Sequence, residues 1–153
     1  MQDMEKTYNP EFEKRIYDMW MKGKFFEAHP NAEKEPFTVM MPPPNITGQL
    51  HMGHALDETI QDVIVRFKRM SGYETLWMPG TDHASIATEV KVVEKMRKDE
   101  GLSKNDVGRD GFLERAWAWK NQYGGRIVEQ QKALGISCDW SKSAFTMDEN
   151  CSN

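Results

Sequence analysis

His51 and His54 stand three residues apart, with Gly53 beside the second, in the run Leu50-His51-Met52-Gly53-His54. If a helix starts here, positions i and i+3 share a face, so both imidazoles can point into one crevice. Gly53 removes a side chain where an adenine ring or a phosphate must come close. A helix start adds free N–H groups and positive potential for anionic oxygens. This layout suits phosphoryl or nucleotidyl transfer, in which catalysis is mostly positioning and charge stabilisation. Neither histidine need be a base, because a carboxylate nucleophile brings no proton to remove. The same spacing also suits a capping pair or two zinc ligands, with His83 the nearest further ligand. Asp82, in Pro79-Gly80-Thr81-Asp82-His83, can hold a substrate ammonium by a charge-assisted bond. It can equally cap the helix that follows.

The elements that must position these residues follow from periodicity and punctuation. Asn9-Pro10 opens a first helix whose Phe12, Ile16 and Trp20 recur every fourth residue, and Gly23 stops it. Phe37 to Met41 reads as a buried strand. Pro42-Pro43-Pro44-Asn45-Ile46-Thr47-Gly48 is then a stiff, extended loop, since three prolines fix φ and supply no N–H. A second helix is predicted from about His54 to Ser71, with Leu56, Ile60, Ile64 and the parallel Val63 and Phe67 on its apolar face. Thr75 to Met78 is a second strand, and a third helix runs from about Ser85 to Lys98. Ser103 with Asp106 is a capping signal, and a long helix covers Phe112 to Leu134. Strand, loop, helix, repeated, is the grammar of a parallel α/β sheet with flanking helices. Ligands of such sheets collect beyond the carboxyl ends of the strands, where both chemistry-bearing loops lie.

Composition bounds the function classes. The 153 residues carry a net charge of −4, 39% hydrophobic and 29% charged side chains. This is an ordinary globular balance, and it argues against binding nucleic acid through diffuse basic electrostatics. The charged start Met1–Thr7 holds no signal peptide, and no 18-residue apolar run is present. Cys138 and Cys151 form neither a metal pair nor a disulfide framework, so a reducing cytoplasm is expected.

The run Pro44 to His54 resembles the His-Ile-Gly-His signature of class I aminoacyl-tRNA synthetases, with Met52 in the Ile place. The triple proline followed by Asn, Ile, Thr and Gly is similar to the valyl enzymes. So is Gly80-Thr81-Asp82-His83-Ala84-Ser85-Ile86-Ala87-Thr88, in which Ser85 replaces a glycine of the family pattern. Gly108 to Trp119, Tyr123 to Gln130 and Leu134 to Trp140 match the same family, so the resemblance runs from about Tyr8 onward. By themselves, Trp117 and Trp119 read as packing anchors.

The resemblance implies the first half of a Rossmann-like nucleotide-binding domain at residues 35–153, preceded by an N-terminal helical extension at 1–34. It implies activation of valine by ATP and transfer to tRNA(Val) in a longer enzyme. The editing, second-half catalytic, lysine-loop and anticodon-binding parts are expected elsewhere, and this chain alone is expected to be nearly inactive. His51 and His54 are assigned to the triphosphate, Gly53 to close packing of the nucleotide, and Asn45 and Thr47 to phosphates or ribose. Pro42 and Pro43 are assigned to the valine pocket wall, and Asp82 to the ammonium. Mg2+ is implied by the ATP chemistry, with no protein ligand evident. Valine, ATP and tRNA(Val) are the expected partners, with no membrane and no DNA.

Two lysine-bearing runs, Glu94 to Lys98 and Trp140 to Ser143, superficially resemble the family's second signature and are set aside as structural. Arg66, Lys68 and Arg69 read as complements of a helix C-terminus. The competing readings are a small nucleotidyltransferase sharing the histidine signature, and a non-catalytic interaction module.

Overall fold

The computed structural model describes residues 8–152. The Met1–Thr7 stretch of the expected N-terminal extension lies outside them. Helix α1 spans Glu11–Lys22, and strand β1, Pro36–Met40, is followed by helix α2, Met52–Met70. Strands β2, Glu74–Met78, and β3, Gly80–Thr81, lead into helices α3, Ile86–Asp99, and α4, Lys104–Ala133. A 3-10 turn at Trp140–Lys142, strand β4, Ala144–Phe145, and helix α5, Glu149–Ser152, complete the chain. β1 pairs parallel with β2 from Pro36–Glu74 to Met40–Met78, and β3 pairs parallel with β4. The parallel α/β reading is therefore met, as two short sheets end to end.

Helix boundaries follow their caps. Asn9 Oδ1 accepts from Glu11 N–H at 3.0 Å, with Glu11 and Glu13 in the first turn of α1. Asp106 Oδ2 accepts from Ser103 N–H at 2.8 Å at the start of α4. α4 begins earlier than the periodicity implies and breaks at Gly108, whose φ of 65° and ψ of −174° are not helical.

Three burial expectations are corrected. β1 is not a buried strand: it alternates exposed and half-buried residues, and Met40 is 69% exposed, because only one of its edges and little of its surface is covered. On α1, Phe12 and Ile16 face outward, and it is Tyr17 and Trp20 that pack with buried Phe26. On α2, Leu56, Ile60, Val63, Ile64 and Phe67 are all exposed.

The inward face of α2 is polar, and the reason lies in what it covers. Residues 136–139 form a buried, irregular segment, whose backbone groups need partners. Arg69 donates to Ser137 Oγ and O, and Arg66 to Gly135 O at 2.7 Å. Asp62 accepts from the Ser137 backbone N–H at 3.0 Å. Tyr17 of α1 donates to Ile136 O at 3.0 Å and accepts from Trp140 Nε1–H at 2.8 Å. Burial pushes the Tyr17 hydroxyl up to about 12, so it stays a neutral donor. Arg66 and Arg69 are thus engaged with residues 135–137. Around this network Met41, Val65, Trp77, Ile136 and Cys138 form one apolar cluster. Ile46, Val92, Met96, Phe112, Trp119, Ile127 and Phe145 form the other, between α3 and α4.

Glu58 is buried on the inner face of α2. Its Oε1 accepts from Gln131 Nε2 at 2.7 Å, while its Oε2 has no partner. Burial holds its carboxyl above the ordinary range, against the opposing pull of the Gln131 bond. As pH rises above about 4.3, the unfolded chain loses this proton first. The folded state then binds more protons, so stability falls until pH passes the raised folded value. Melting temperatures measured across this window should fall for the wild type and fall less for Glu58→Gln. Parallel curves would show that Glu58 ionises without penalty.

Candidate functional site

The last regular rung beyond β1 is Met41 N–H donating to Met78 O at 3.0 Å. Pro42, Pro43 and Pro44 follow with no N–H to donate. The ladder resumes only at an isolated bridge between Asn45 and Asp82. There Ile46 N–H donates to Asp82 O, and Asp82 N–H to Pro44 O, each at 2.9 Å. On its opposite edge the strand carrying Asp82 pairs with β4, Pro79 O and Thr81 O accepting from Ala144 and Thr146 N–H. A Cβ at Gly80 would sit 3.2 Å from Ala144 O, so glycine permits that approach. Pro44 is buried, whereas Pro42 and Pro43 are exposed.

The loop after the prolines is held by α4. Buried Trp119 donates from Nε1 to Ile46 O at 2.7 Å, and Gln130 Oε1 accepts from Leu50 N–H at 2.9 Å. Trp119 is a packing anchor as expected, while Trp117 is 47% exposed. Thr47 is half-buried within this loop, and Asn45 is exposed at its start.

His51 is the N-cap of α2. Its Nδ1 accepts from Gly53 N–H at 3.1 Å, and its own N–H donates to His54 Nδ1 at 3.3 Å. The two rings lie 4.0 Å apart between centroids. An Nδ1 that accepts carries no proton, so each neutral imidazole holds its proton on Nε2. The pair thus presents two Nε2–H donors at a positive helix start. Burial, then the neighbouring His51, lower the pKa of His54, while Asp57 opposes them. The neutral form is favoured, and with it the cap. Capping therefore occupies Nδ1 of each ring and not Nε2. A Cβ on residue 53 would fall 2.9 Å from His51 Cε1, so the visible constraint on Gly53 is room for the His51 ring.

Asp82 is fixed through main chain and side chain together. Thr146 Oγ1 donates to Asp82 Oδ1 at 2.9 Å and accepts from His83 N–H at 2.9 Å. His83 Nδ1 lies 2.6 Å from the same hydroxyl. Thr146, Trp119 and Gln130 were not singled out as site residues by sequence reasoning. Their contacts span 63 to 80 residues, and no local spacing signals them.

After His83, Ala84 and Ser85 both take positive φ, 53° and 39°, and Ser85 has ψ −109°. Ser85 therefore does more than stand small for small: it is strained where glycine is at ease.

Beside this turn lies a cavity of about 200 Å³ lined by residues including Ile46, His83, Thr88, Phe112 and Trp117. Neither His51, His54, Asn45 nor Asp82 lines it, although Ile46 and His83 of the same two runs do. Among the described residues no three His, Cys, Asp or Glu side chains converge to hold a metal. The two lysine-bearing runs are structural. Lys95 pairs with Asp99, and Asp139 Oδ1 accepts from Ser141 N–H at the 3-10 turn.

Residues 15–153 match the family model for tRNA synthetases class I (I, L, M and V). A valine--tRNA ligase of Carboxydothermus hydrogenoformans is 59% identical over 147 residues, covering 95% of this chain and 16% of that protein. One from Bdellovibrio bacteriovorus is 51% identical over 152 residues, 99% of this chain and 17% of that protein. The chain thus spans about a sixth of the length of the curated relatives it matches. Among solved structures, an Agrobacterium radiobacter K84 LeuRS in a ternary complex with tRNA and LeuAMS aligns with a TM-score of 0.76. That alignment has 18% identity and covers 95% of this chain and 17% of that one.

Two stability changes follow. His51→Ala should lower the unfolding free energy by about 0.5–2 kcal/mol, and His51→Asn, which keeps a capping acceptor, should recover most of it. Ser85→Gly should raise stability by about 1 kcal/mol by relieving the positive φ. Chemical denaturation measures all three. Equal loss in both His51 variants would show that the cap adds nothing, and a destabilised Ser85→Gly would show that the turn is unstrained.

Proposed function

The chain belongs to the class I tRNA synthetases (I, L, M and V), and from that footing we propose that it carries part of the ATP and valine site of a valine--tRNA ligase. In this reading a valine carboxylate oxygen attacks the α-phosphorus of ATP. The bond from that phosphorus to the bridging oxygen breaks, pyrophosphate leaves, and valyl-adenylate forms for transfer to tRNA(Val). The observation that carries the reading is the pair of imidazoles tied back through Nδ1 with both Nε2–H groups free. Two such donors fixed in advance suit negative charge building on the triphosphate, and cost no reorganisation at the moment of reaction.

The remaining roles rest on position. Asp82 offers its carboxylate to the valine ammonium, and its backbone is bridged to Asn45. Asn45 and Thr47 flank the path of the phosphates or ribose, and Gly53 leaves space at the helix start. Pro42 and Pro43, stiff and exposed, offer a wall to the isopropyl group. Mg2+ fits as an ion carried by the ATP phosphates rather than by this chain, and no step is assigned to it. Identities of 51–59% to valine--tRNA ligases support valine over the other family substrates. The small nucleotidyltransferase and the non-catalytic module are less favoured, because the family match runs through 139 of 153 residues, from 15 to 153. Free Cys138 and Cys151 are consistent with a cytoplasmic setting. No helix among the described residues is long and apolar enough to cross a membrane.

The test is a graft. Residues 8–152 replace the matching segment of the Carboxydothermus hydrogenoformans protein, and valine-dependent ATP–pyrophosphate exchange is measured. The graft should exchange with valine, and this chain alone should run at least about a hundredfold slower. His51→Asn in the graft should keep the melting temperature yet lose about a hundredfold in exchange rate. A folded graft that exchanges with another amino acid in preference to valine, or with none, would defeat the reading. A fully active His51→Asn graft would reduce that histidine to a cap.

A further inference from the structure

Thr146 occupies a position that neither its sequence context nor the family match assigns. The β3–β4 ladder pairs Gly80 with Ala144 and Thr81 with Phe145, and Thr146 N–H donates to Thr81 O at 3.2 Å. The next residue on one strand is Thr146, and on the other Asp82. A threonine hydroxyl has one proton and two acceptor lone pairs, and all three are engaged here. The proton goes to Asp82 Oδ1 at 2.9 Å. One lone pair takes His83 backbone N–H at 2.9 Å, and the other faces His83 Nδ1 at 2.6 Å. With the hydroxyl proton on Asp82, that last contact requires His83 to donate from Nδ1.

Asp82 Oδ1 is therefore turned toward Thr146, with His83 Nδ1 also 3.3 Å from it, while among the described residues its other oxygen carries no such bond. We propose that Thr146 is a positioning residue for amino-acid recognition. It holds Asp82 in the rotamer that leaves Oδ2 free to take the substrate ammonium, and it locks His83 beside it. This rests on the reading of Asp82 as the ammonium acceptor in a valine-activating enzyme. An ammonium is charged alike before and during adenylate formation, so its loss weakens ground state and transition state together. The expected signature is a raised KM for the amino acid with kcat and the KM for ATP little changed.

The experiment uses the grafted enzyme and valine-dependent exchange. Thr146→Val keeps the shape and removes the hydroxyl, and Thr146→Ser restores it. Thr146→Val should raise the valine KM about tenfold, the size expected for one hydrogen bond to a charged group. Its KM for ATP and its kcat should stay within about twofold, and Thr146→Ser should return the valine KM to near the parent value. In an Asp82→Ala background, Thr146→Val should add little to the valine KM, since both changes act through one carboxylate. If Thr146→Val does not melt cooperatively, Thr146→Ala takes its place in the same comparison. An unchanged valine KM, equal rises in both KM values, or full additivity with Asp82→Ala would each refute the proposal. A parent graft with no valine-dependent exchange would instead refute the function on which it rests.

Discussion

Three consecutive prolines leave the chain between Met41 and Asn45 without a single N–H to give to a neighbouring strand. The sheet therefore holds this loop only at the Asn45–Asp82 bridge, and something else must hold the rest. That role falls to α4, whose Trp119 and Gln130 grip Ile46 and Leu50, while the adjacent Gln131 reaches Glu58 further along α2. One long helix thus sets the position of the loop and the start of α2 at once. On the opposite edge of the strand carrying Asp82, Pro79 O and Thr81 O accept from Ala144 N–H and Thr146 N–H, and β4 pairs there. Bringing β4 there brings Thr146 to Asp82. The proline loop and β4 thus reach Asp82 from opposite edges of its strand.

At the helix start the demands of folding and, in the proposed function, of chemistry fall on the same two histidines. A helix N-terminus leaves several N–H groups without partners, and here His51 satisfies one of them while His54 satisfies the N–H of His51 itself. An aspartate cap would do the first task equally well, but it is acceptor-only and would leave no donor projecting outward. Imidazole has two nitrogens on opposite sides of the ring, so one can cap while the other faces a ligand. The cost is sensitivity to protonation: a charged ring has no acceptor at Nδ1, and the cap is lost with it. The lowered pKa of His54, set first by burial and then by His51, works against that loss.

Much of this was legible in the sequence where the signal is local. Strand–loop–helix order, the cap at Ser103 and the two loops beyond the strand ends all follow from punctuation and periodicity. The orientation of α2 was not legible. Periodicity says which residues share a face, and it assumes that the apolar face is the inner one. Here the inner face meets a buried irregular segment whose backbone groups need partners, so Asp62, Arg66 and Arg69 turn inward and Leu56, Ile60 and Phe67 outward. β1 misled for a related reason, because a short apolar run does not say how many of its faces are covered. Thr146 was invisible because its partners lie 63 and 64 residues away.

The turn into α3 shows which of these constraints dominates. Asp82 is pinned by two main-chain bonds to the proline loop and by its carboxylate to Thr146, and His83 is pinned by its own N–H to the same hydroxyl. α3 is pinned at its other side, where buried Val92 and Met96 join Phe112 and Trp119 in the core. Only Ala84 and Ser85 lie between the two fixed bodies, and both are driven to positive φ. Neither residue prefers that region, and neither side chain gains a capping bond at the helix start. The strain therefore has no local source. It is imposed from outside, by a carboxylate and a helix that are each held more firmly than the two residues joining them. The bonds to Asp82 and the packing of α3 are kept, and the cost appears in the two residues that join them.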